Sequence, residues 1–219
     1  MTDTHAILLP GGVMPADLAY GSLIEQLGDD VDVRAKDLEV YAADEPPEPY
    51  GLEVEVAGLL RFADVAGFST FHLLGYSAGG AVALAAAASG SERIASLALI
   101  EPAWAGNVGL SPEEAGIWRR IGEIMESSDQ TELMRAFVEI QLAPGVEGPE
   151  RPPGPPPPWM ALRPAGLRAI TAAFQAATLD TDSLRAFDRP VYYALGGRSN
   201  PDLYARMGER LGSLFGDFA

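Results

Sequence analysis

Short apolar runs alternate along this chain with longer segments in which apolar residues recur at helical spacing. The runs predict five strands: four at residues 6–10, 71–76, 94–100 and 190–195, and a second strand held within 31–41 that is poorly delimited by its charges. The periodic segments predict helices at 16–27, 52–66, 78–89 and 203–215. Such alternation is typical of an α/β fold. We therefore expect a three-layer fold with a parallel sheet of at least five strands, in the order 2-1-3-4-5.

A long insertion separates the fourth predicted strand from the fifth, because an ordinary crossover is far shorter. Helical patterns occupy 112–126, 131–142 and 163–178, and a tract rich in Pro and Gly covers 144–158. We interpret 103–189 as a helical cap and 1–102 with 190–219 as the core. The Pro-rich tract is interpreted as a stiff, exposed loop inside the cap, with a partner-binding motif as the alternative.

The amino-acid composition excludes or disfavours several classes of function. The chain has 219 residues, 15 Lys and Arg against 31 Asp and Glu, and a formal net charge of −16. This acidic balance disfavours nucleic acid and anionic membranes as partners. Cysteine is absent, which excludes disulfides, thiolate catalysis and Cys-based metal sites. The first residues do not form a signal peptide, so we expect a cytoplasmic protein; the abundant Arg, Ala, Gly and Pro favour a bacterial source.

The segment from Gly75 to Gly80, GYSAGG, carries the candidate chemistry. It places a G-x-S-x-G motif between a predicted strand and a predicted helix, which is the context that this motif requires. The turn is so sharp that the residues flanking the serine must lack side chains, and Gly75 and Gly79 meet that need. Ser77 is therefore a candidate nucleophile at the top of the sheet. The alternative is a Gly-rich turn whose serine only caps the helix.

These residues resemble the α/β-hydrolase superfamily, in particular its serine esterases and lipases. Residues 8–12, LLPGG, are similar to the family's loop that supplies one oxyanion-hole amide, although Pro10 stands where the family commonly has His. The resemblance implies Gly12, with Val13 as its neighbour, and Ala78 as the amide donors. A plain strand-to-helix turn is the alternative for the two glycines of the loop.

The resemblance also implies two possible positions for the acid. Glu101 ends the fourth predicted strand, and Pro102 stops that strand, which suits a carboxylate that orients an imidazole. At the second position Asn200 replaces the usual Asp, and Asp202 follows two residues later. We favour Glu101 over Asp202, with a solvated strand end as the alternative for Glu101.

The base is harder to identify, because His5 and His72 are the two histidines of the chain. Both are expected at the edge of the sheet opposite the nucleophile. In the family the catalytic histidine follows a further strand, and the chain ends at Ala219, where that strand would begin. We favour a fragment over a hydrolase-fold protein with an incomplete triad, and expect low activity from these residues alone.

The resulting hypothesis is a serine hydrolase that acts on ester-like bonds of a small hydrophobic substrate. Support for an apolar substrate comes from the aromatic residues of the predicted cap, namely Trp104, Trp118, Phe137, Trp159 and Phe174. Lyase or peroxidase chemistry on the same fold stays open, and so does a non-catalytic ligand-binding protein. We expect no cofactor and no metal, and a homo-oligomer stays open.

Overall fold

The computed structural model describes residues 4–148 and 153–219. Five parallel strands form a sheet in the order β2-β1-β3-β4-β5. The strands are β1 (His5–Leu9), β2 (Asp32–Ala35), β3 (Phe71–Tyr76), β4 (Ile94–Ile100) and β5 (Val191–Ala194). The predicted α/β fold and its strand order are confirmed.

The register brings the carboxyl ends of the three central strands to one edge. Leu9 of β1 lies opposite Gly75 of β3, and Gly75 lies opposite Leu99 of β4. The loops that leave these strands therefore meet above β3. In an open parallel sheet this edge is where ligands commonly bind.

Helices flank the sheet, and their lengths largely follow the periodic segments. They are α1 (Ala16–Leu27), α2 (Leu52–Ala66), α3 (Ala78–Ala88), α4 (Pro112–Met125), α5 (Gln130–Glu139), α6 (Arg163–Ala176), α7 (Thr181–Arg185) and α8 (Pro201–Gly212). Most residues of α3 are buried, which suits its run of alanine and glycine because small side chains let a helix lie close to the sheet. The main apolar core surrounds α3 and the central strands.

The second strand lies inside the segment 31–41 predicted to hold it, but it occupies only the first half of that segment. β2 ends at Ala35, and a 3₁₀ turn at Glu39–Tyr41 follows. The buried carboxylate of Glu55 in α2 accepts the backbone N–H groups of Glu39 and Val40 at 2.8 and 3.0 Å. A contact with a distant helix thus overrides the local strand propensity.

The long connection between β4 and β5 contains α4 to α7. Three of these helices, α4, α5 and α6, share a second apolar cluster, whose buried members are Ile121, Met125, Leu133, Ile140 and Leu167. Within the Pro-rich tract predicted at 144–158, residues 149–152 lie outside the described residues. The division of the chain into core and cap stays a prediction.

Residues 217–219 lie along the free side of β5. Val191 N–H donates to Asp217 O at 2.9 Å, Tyr193 N–H donates to Ala219 O at 2.8 Å, and Ala219 N–H donates to Val191 O at 3.0 Å. The bridge between Val191 and Phe218 is parallel. The edge of β5 is therefore partly covered.

Across the described residues, no helix has both the length and the apolar character needed to cross a membrane.

Candidate active site

Ser77 occupies the turn between β3 and α3 in a strained backbone conformation, with φ 52° and ψ −115°. Its N–H donates to Ile100 O at 3.0 Å, and its carbonyl accepts from Ala103 N–H at 2.8 Å and from Ala81 N–H at 3.1 Å. A non-glycine residue persists in such a conformation only where its surroundings hold it. These backbone bonds from two directions fix Ser77 at the carboxyl edge of the sheet.

The glycines around Ser77 allow β3, α3 and β1 to approach closely. A Cβ added to Gly75 would collide with the carbonyl of Gly79, and one added to Gly79 would collide with the carbonyl of Leu9. These neighbours are backbone atoms, which cannot rotate away. A strand–turn–helix with this geometry requires glycine at both positions.

The loop after β1 lies directly against the turn that bears Ser77. Gly79 N–H donates to Pro10 O at 3.0 Å, and an ideal Cβ on Gly12 would lie 3.7 Å from Ala78 Cβ. Among the described residues, the N–H groups of Gly12, Val13 and Ala78 donate to no backbone acceptor outside regular helices and strands. Ala78 is also the first residue of α3, where the helix dipole is positive. The arrangement can therefore stabilise an anionic oxygen near Ser77.

A small, largely apolar cavity of about 30 Å³ adjoins Ser77. Its walls come from the loop after β1, the start of α3, the long connection between β4 and β5, and α8. They include Gly12, Ala78, Trp118, Ile121, Phe137, Gln141, Leu167, Ile170, Thr171, Phe174, Leu203 and Tyr204. Tyr204 donates its hydroxyl to Gln141 Oε1 at 2.9 Å, so these two polar groups are paired. Three of the five aromatic residues named from the sequence line this cavity.

The other two aromatics lie elsewhere. Trp104 is 1% exposed and stacks on Phe174 with ring centroids 5.9 Å apart, so it packs against a residue of the cavity wall. Trp159 lies beside Arg163, whose guanidinium carbon is 5.3 Å from the Trp159 ring centroid.

Glu101 follows β4 at the same edge of the sheet, next to the strand that leads to Ser77. It has φ 45° and is 8% exposed. Its Oε1 accepts Gly196 N–H at 2.6 Å, and its own N–H donates to Ala194 O at 3.1 Å. Burial, and secondarily the Glu101 charge, raises the pKa of Tyr76 and of Tyr204 above the ordinary range. The carboxylate is thus held at the edge where Ser77 lies.

Asp202 lies in a different environment. It is exposed in the first turn of α8, where its N–H donates to the Asn200 side chain at 3.1 Å. Asn200 is the N-cap of α8. The structure therefore gives Asn200 a capping role and directs Asp202 toward solvent.

Neither histidine is brought to Ser77. His5 begins β1, and its ring stacks on Phe68 with centroids 4.3 Å apart. His72 is near the start of β3, where its Nδ1 is hydrogen-bonded to Ser96 Oγ at 2.7 Å. Both positions are at the amino edge of the sheet, opposite Ser77. In the part of the chain that the structure describes, no group of three or more His, Asp or Glu could hold a metal ion.

Sequence reasoning missed Tyr41, whose hydroxyl donates to Gly12 O at 2.5 Å. Tyr41 is the last residue of the segment predicted to hold the second strand. One signal was present in the sequence: Gly166 lies inside the predicted helix 163–178, and glycine there often marks a close approach. A Cβ on Gly166 would collide with the Tyr41 ring. The partner of that glycine could not be identified without the fold.

Comparison with known proteins agrees with the α/β fold. Residues 7–131 match the family model described as alpha/beta hydrolase fold. The chain is similar to the N-formylmaleamate deformylase of Pseudomonas putida, with 32% identity over 103 residues. That match covers 45% of this chain and 37% of the deformylase, so it spans little more than a third of this curated relative.

Solved structures share the fold at lower identity. A hydrolase from Pseudomonas aeruginosa matches with a TM-score of 0.70 and 22% identity, over 98% of this chain and 79% of that one. The enol-lactonase from Burkholderia xenovorans matches with a TM-score of 0.69 and 17% identity, over 98% of this chain and 80% of that one.

Proposed function

Since the chain belongs to the alpha/beta hydrolase fold family, we propose that it is a serine hydrolase that uses Ser77 as its nucleophile. Its similarity to the P. putida deformylase supports hydrolysis as the reaction class. The observation that carries the proposal is the placement of Ser77, which is strained and partly enclosed beside amide groups that lack an internal acceptor. Such a setting suits attack on a carbonyl carbon.

In the proposed reaction, Ser77 Oγ loses its proton to a base and bonds to the carbonyl carbon of an ester-like substrate. The carbonyl oxygen gains the negative charge, and the N–H groups of Gly12 or Val13 and of Ala78 donate to it. Collapse of this intermediate expels the leaving group, which takes up the proton from the base, and leaves an acyl group on Ser77. Water then attacks the acyl carbon, releases the acid and restores the hydroxyl.

Glu101 is the proposed acid, since it is buried at the carboxyl edge beside the strand that leads to Ser77. A serine hydroxyl still needs a base to accept its proton. His5 and His72 are both at the opposite edge, so proton transfer would rely on another group. This is also the observation that favours the second candidate, a ligand-binding protein that keeps the pocket without turnover.

The substrate is proposed to carry a small apolar group. Trp118, Phe137 and Phe174 supply apolar walls, and Thr171 adds a hydroxyl. A cavity of about 30 Å³ holds little more than one water molecule. The segment 103–189 would therefore act as a cap whose helices separate from the loop at Gly12 when a substrate enters.

We further expect a cytoplasmic protein whose partners are small molecules rather than nucleic acid or membranes, with self-association possible. The net charge of −16 supports the expectation that nucleic acid and anionic membranes are not partners.

Labelling with a fluorophosphonate probe tests the proposal, because this reagent phosphonylates activated serines. We expect covalent labelling of the protein that is lost in Ser77→Ala. Ser22→Ala, at an exposed serine of α1, is the matched control and should label as the original chain does. Equal, slow labelling of all three proteins would favour the ligand-binding alternative.

A further inference from the structure

We infer that Tyr41 is a positioning residue for the oxyanion loop, here defined as residues 10–13. The inference rests on the proposed function, since it concerns the amides assigned to that loop. Tyr41 reaches the loop from the 3₁₀ turn after β2, and its hydroxyl donates to the carbonyl of Gly12 at 2.5 Å. No other described side chain donates a hydrogen bond to that carbonyl.

The bond to Gly12 O fixes the orientation of a whole peptide unit. The Gly12 carbonyl and the Val13 N–H belong to one planar trans peptide, so the two groups point in opposite directions. A carbonyl held by Tyr41 therefore turns the Val13 N–H away from Tyr41. If the peptide rotated, the negative end of its dipole could face the developing oxyanion and oppose it. Glycine at position 12 makes such rotation easy, because its backbone is permissive.

The turn that carries Tyr41 is held in place by a buried carboxylate. Glu55 is 1% exposed and accepts the N–H groups of Glu39 and Val40, the two residues that precede Tyr41. Tyr50 donates its hydroxyl to the same carboxylate at 2.9 Å. The turn that carries Tyr41 is thus anchored to α2 by two hydrogen bonds to one buried side chain.

Arg163 holds the ring of Tyr41 from the other side. Its guanidinium carbon lies 3.8 Å from the ring centroid, and the residue is 3% exposed. Its Nε and Nη1 have no hydrogen-bond partner among the described residues, so the contact with the ring is a main interaction of this buried cation. Burial raises the pKa of the Tyr41 hydroxyl, while the Arg163 charge acts to lower it. Burial is the larger effect, so the hydroxyl stays protonated and can donate to Gly12 O.

Tyr41→Phe tests the inference, because it removes one hydroxyl and keeps the ring against Arg163. Tyr20→Phe is the matched control: the Tyr20 hydroxyl is buried and donates to Leu9 O at 2.8 Å, in β1 rather than in the oxyanion loop. Both variants lose a tyrosine bond to a backbone carbonyl. We expect Tyr41→Phe to slow fluorophosphonate labelling of Ser77 about tenfold or more, as for a displaced oxyanion donor. Tyr20→Phe should label like the original chain.

A steady-state measurement separates positioning from binding. With a p-nitrophenyl ester, Tyr41→Phe should lower kcat and leave KM nearly unchanged, because the bond acts on the charged intermediate. Equal loss of labelling in both tyrosine variants, or unchanged labelling in Tyr41→Phe, overturns the inference.

A second readout does not depend on reactivity. A hydrogen bond to a carbonyl changes the ¹⁵N shift of the amide in the same peptide, so Tyr41→Phe should move the Val13 amide resonance and Tyr20→Phe should not. If Ser77 is not labelled even in the original chain, the proposed function fails while a moved Val13 resonance still supports the role of Tyr41. An unmoved resonance rejects that role.

Discussion

Ser77 and Glu101 are the non-glycine residues with positive φ in the described part of the chain, at 52° and 45°. Each directly follows a strand, and the two strands are neighbours in the sheet. Such conformations cost about 1–3 kcal/mol each and persist where the surrounding structure holds them. The Ser77 N–H bond to Ile100 and the Glu101 N–H bond to Ala194 do this. The backbone strain is thus concentrated at the two residues proposed as nucleophile and acid.

The backbone is closely packed behind Ser77, so one methyl group added there should have a large effect on stability. Gly79→Ala places a Cβ against the carbonyls of Leu9 and Pro10, which belong to backbone and cannot move aside cheaply. We expect it to lower the free energy of unfolding by about 3 kcal/mol. Gly21→Ala in α1 is the control, because nothing lies within 4 Å of the added atom. It should be neutral or stabilising in the same urea titration, and equal losses would contradict the packing argument.

The two carboxylates named from the sequence can be separated by isosteric substitution. Glu101→Gln keeps an oxygen for the Gly196 N–H and removes the charge, so we expect kcat/KM for a p-nitrophenyl ester to fall at least about tenfold. Asp202→Asn changes an exposed side chain in the first turn of α8 and should change kcat/KM little. A larger loss in Asp202→Asn would identify Asp202 as the acid instead. Urea denaturation of both variants checks that the fold is retained.

At the scale of elements, the sequence predicts well those segments whose hydrophobic pattern is local. β3 and β4 have the predicted bounds because each is a continuous apolar run closed by a turn. The 3₁₀ turn at Glu39–Tyr41 could not be predicted, because Glu55 imposes it through hydrogen bonds across the fold. α7 was missed since it has only five residues, and the side chain of Asp180 caps it. The role of Tyr41 could not be predicted from the sequence either, because it depends on the 3₁₀ turn at Glu39–Tyr41.

The buried Glu55 carboxylate predicts a pH-dependent contribution to stability. Burial raises its pKa in the folded state, although the N–H groups of Glu39 and Val40, the Tyr50 hydroxyl and the Lys36 charge act in the opposite direction. The folded state then binds more protons than the unfolded state, so this group lowers stability as pH rises through and above the ordinary glutamate range. Glu55→Gln removes that pH-dependent cost but weakens the anchor of the turn.

We therefore expect Glu55→Gln to be destabilising, with a loss in the free energy of unfolding that is largest near about pH 4 and smaller at neutral pH. Urea titrations of both proteins across this range measure the difference. Tyr50→Phe is a useful control, since it removes one bond to the same carboxylate and leaves the carboxylate in place. A loss that grows toward neutral pH would contradict the direction given for the Glu55 pKa.

At the scale of the whole molecule, the parallel sheet separates the chain's polar groups by edge. The carboxyl edge collects the loop at Gly12, Ser77 and Glu101, while the amino edge holds His5 and His72. Sequence reasoning could make this assignment because all strands run in one direction, so distance along a strand gives the edge. It could not give the cavity walls, since Gln141, Thr171 and Tyr204 come from different helices or the ends of helices.

This separation predicts that neither histidine takes part in the chemistry at Ser77. A base must come within hydrogen-bond reach of the hydroxyl, and His72 lies five positions before Ser77 along an extended strand. The double variant His5→Ala with His72→Ala loses a ring contact with Phe68 and a hydrogen bond to Ser96, so its stability should fall modestly. Its rate of fluorophosphonate labelling should equal that of the original chain at every pH between about 5 and 8, where histidines change charge. A slower double variant that is still folded by circular dichroism would mean that one imidazole reaches Ser77 in solution, and the single variants would then show which one does.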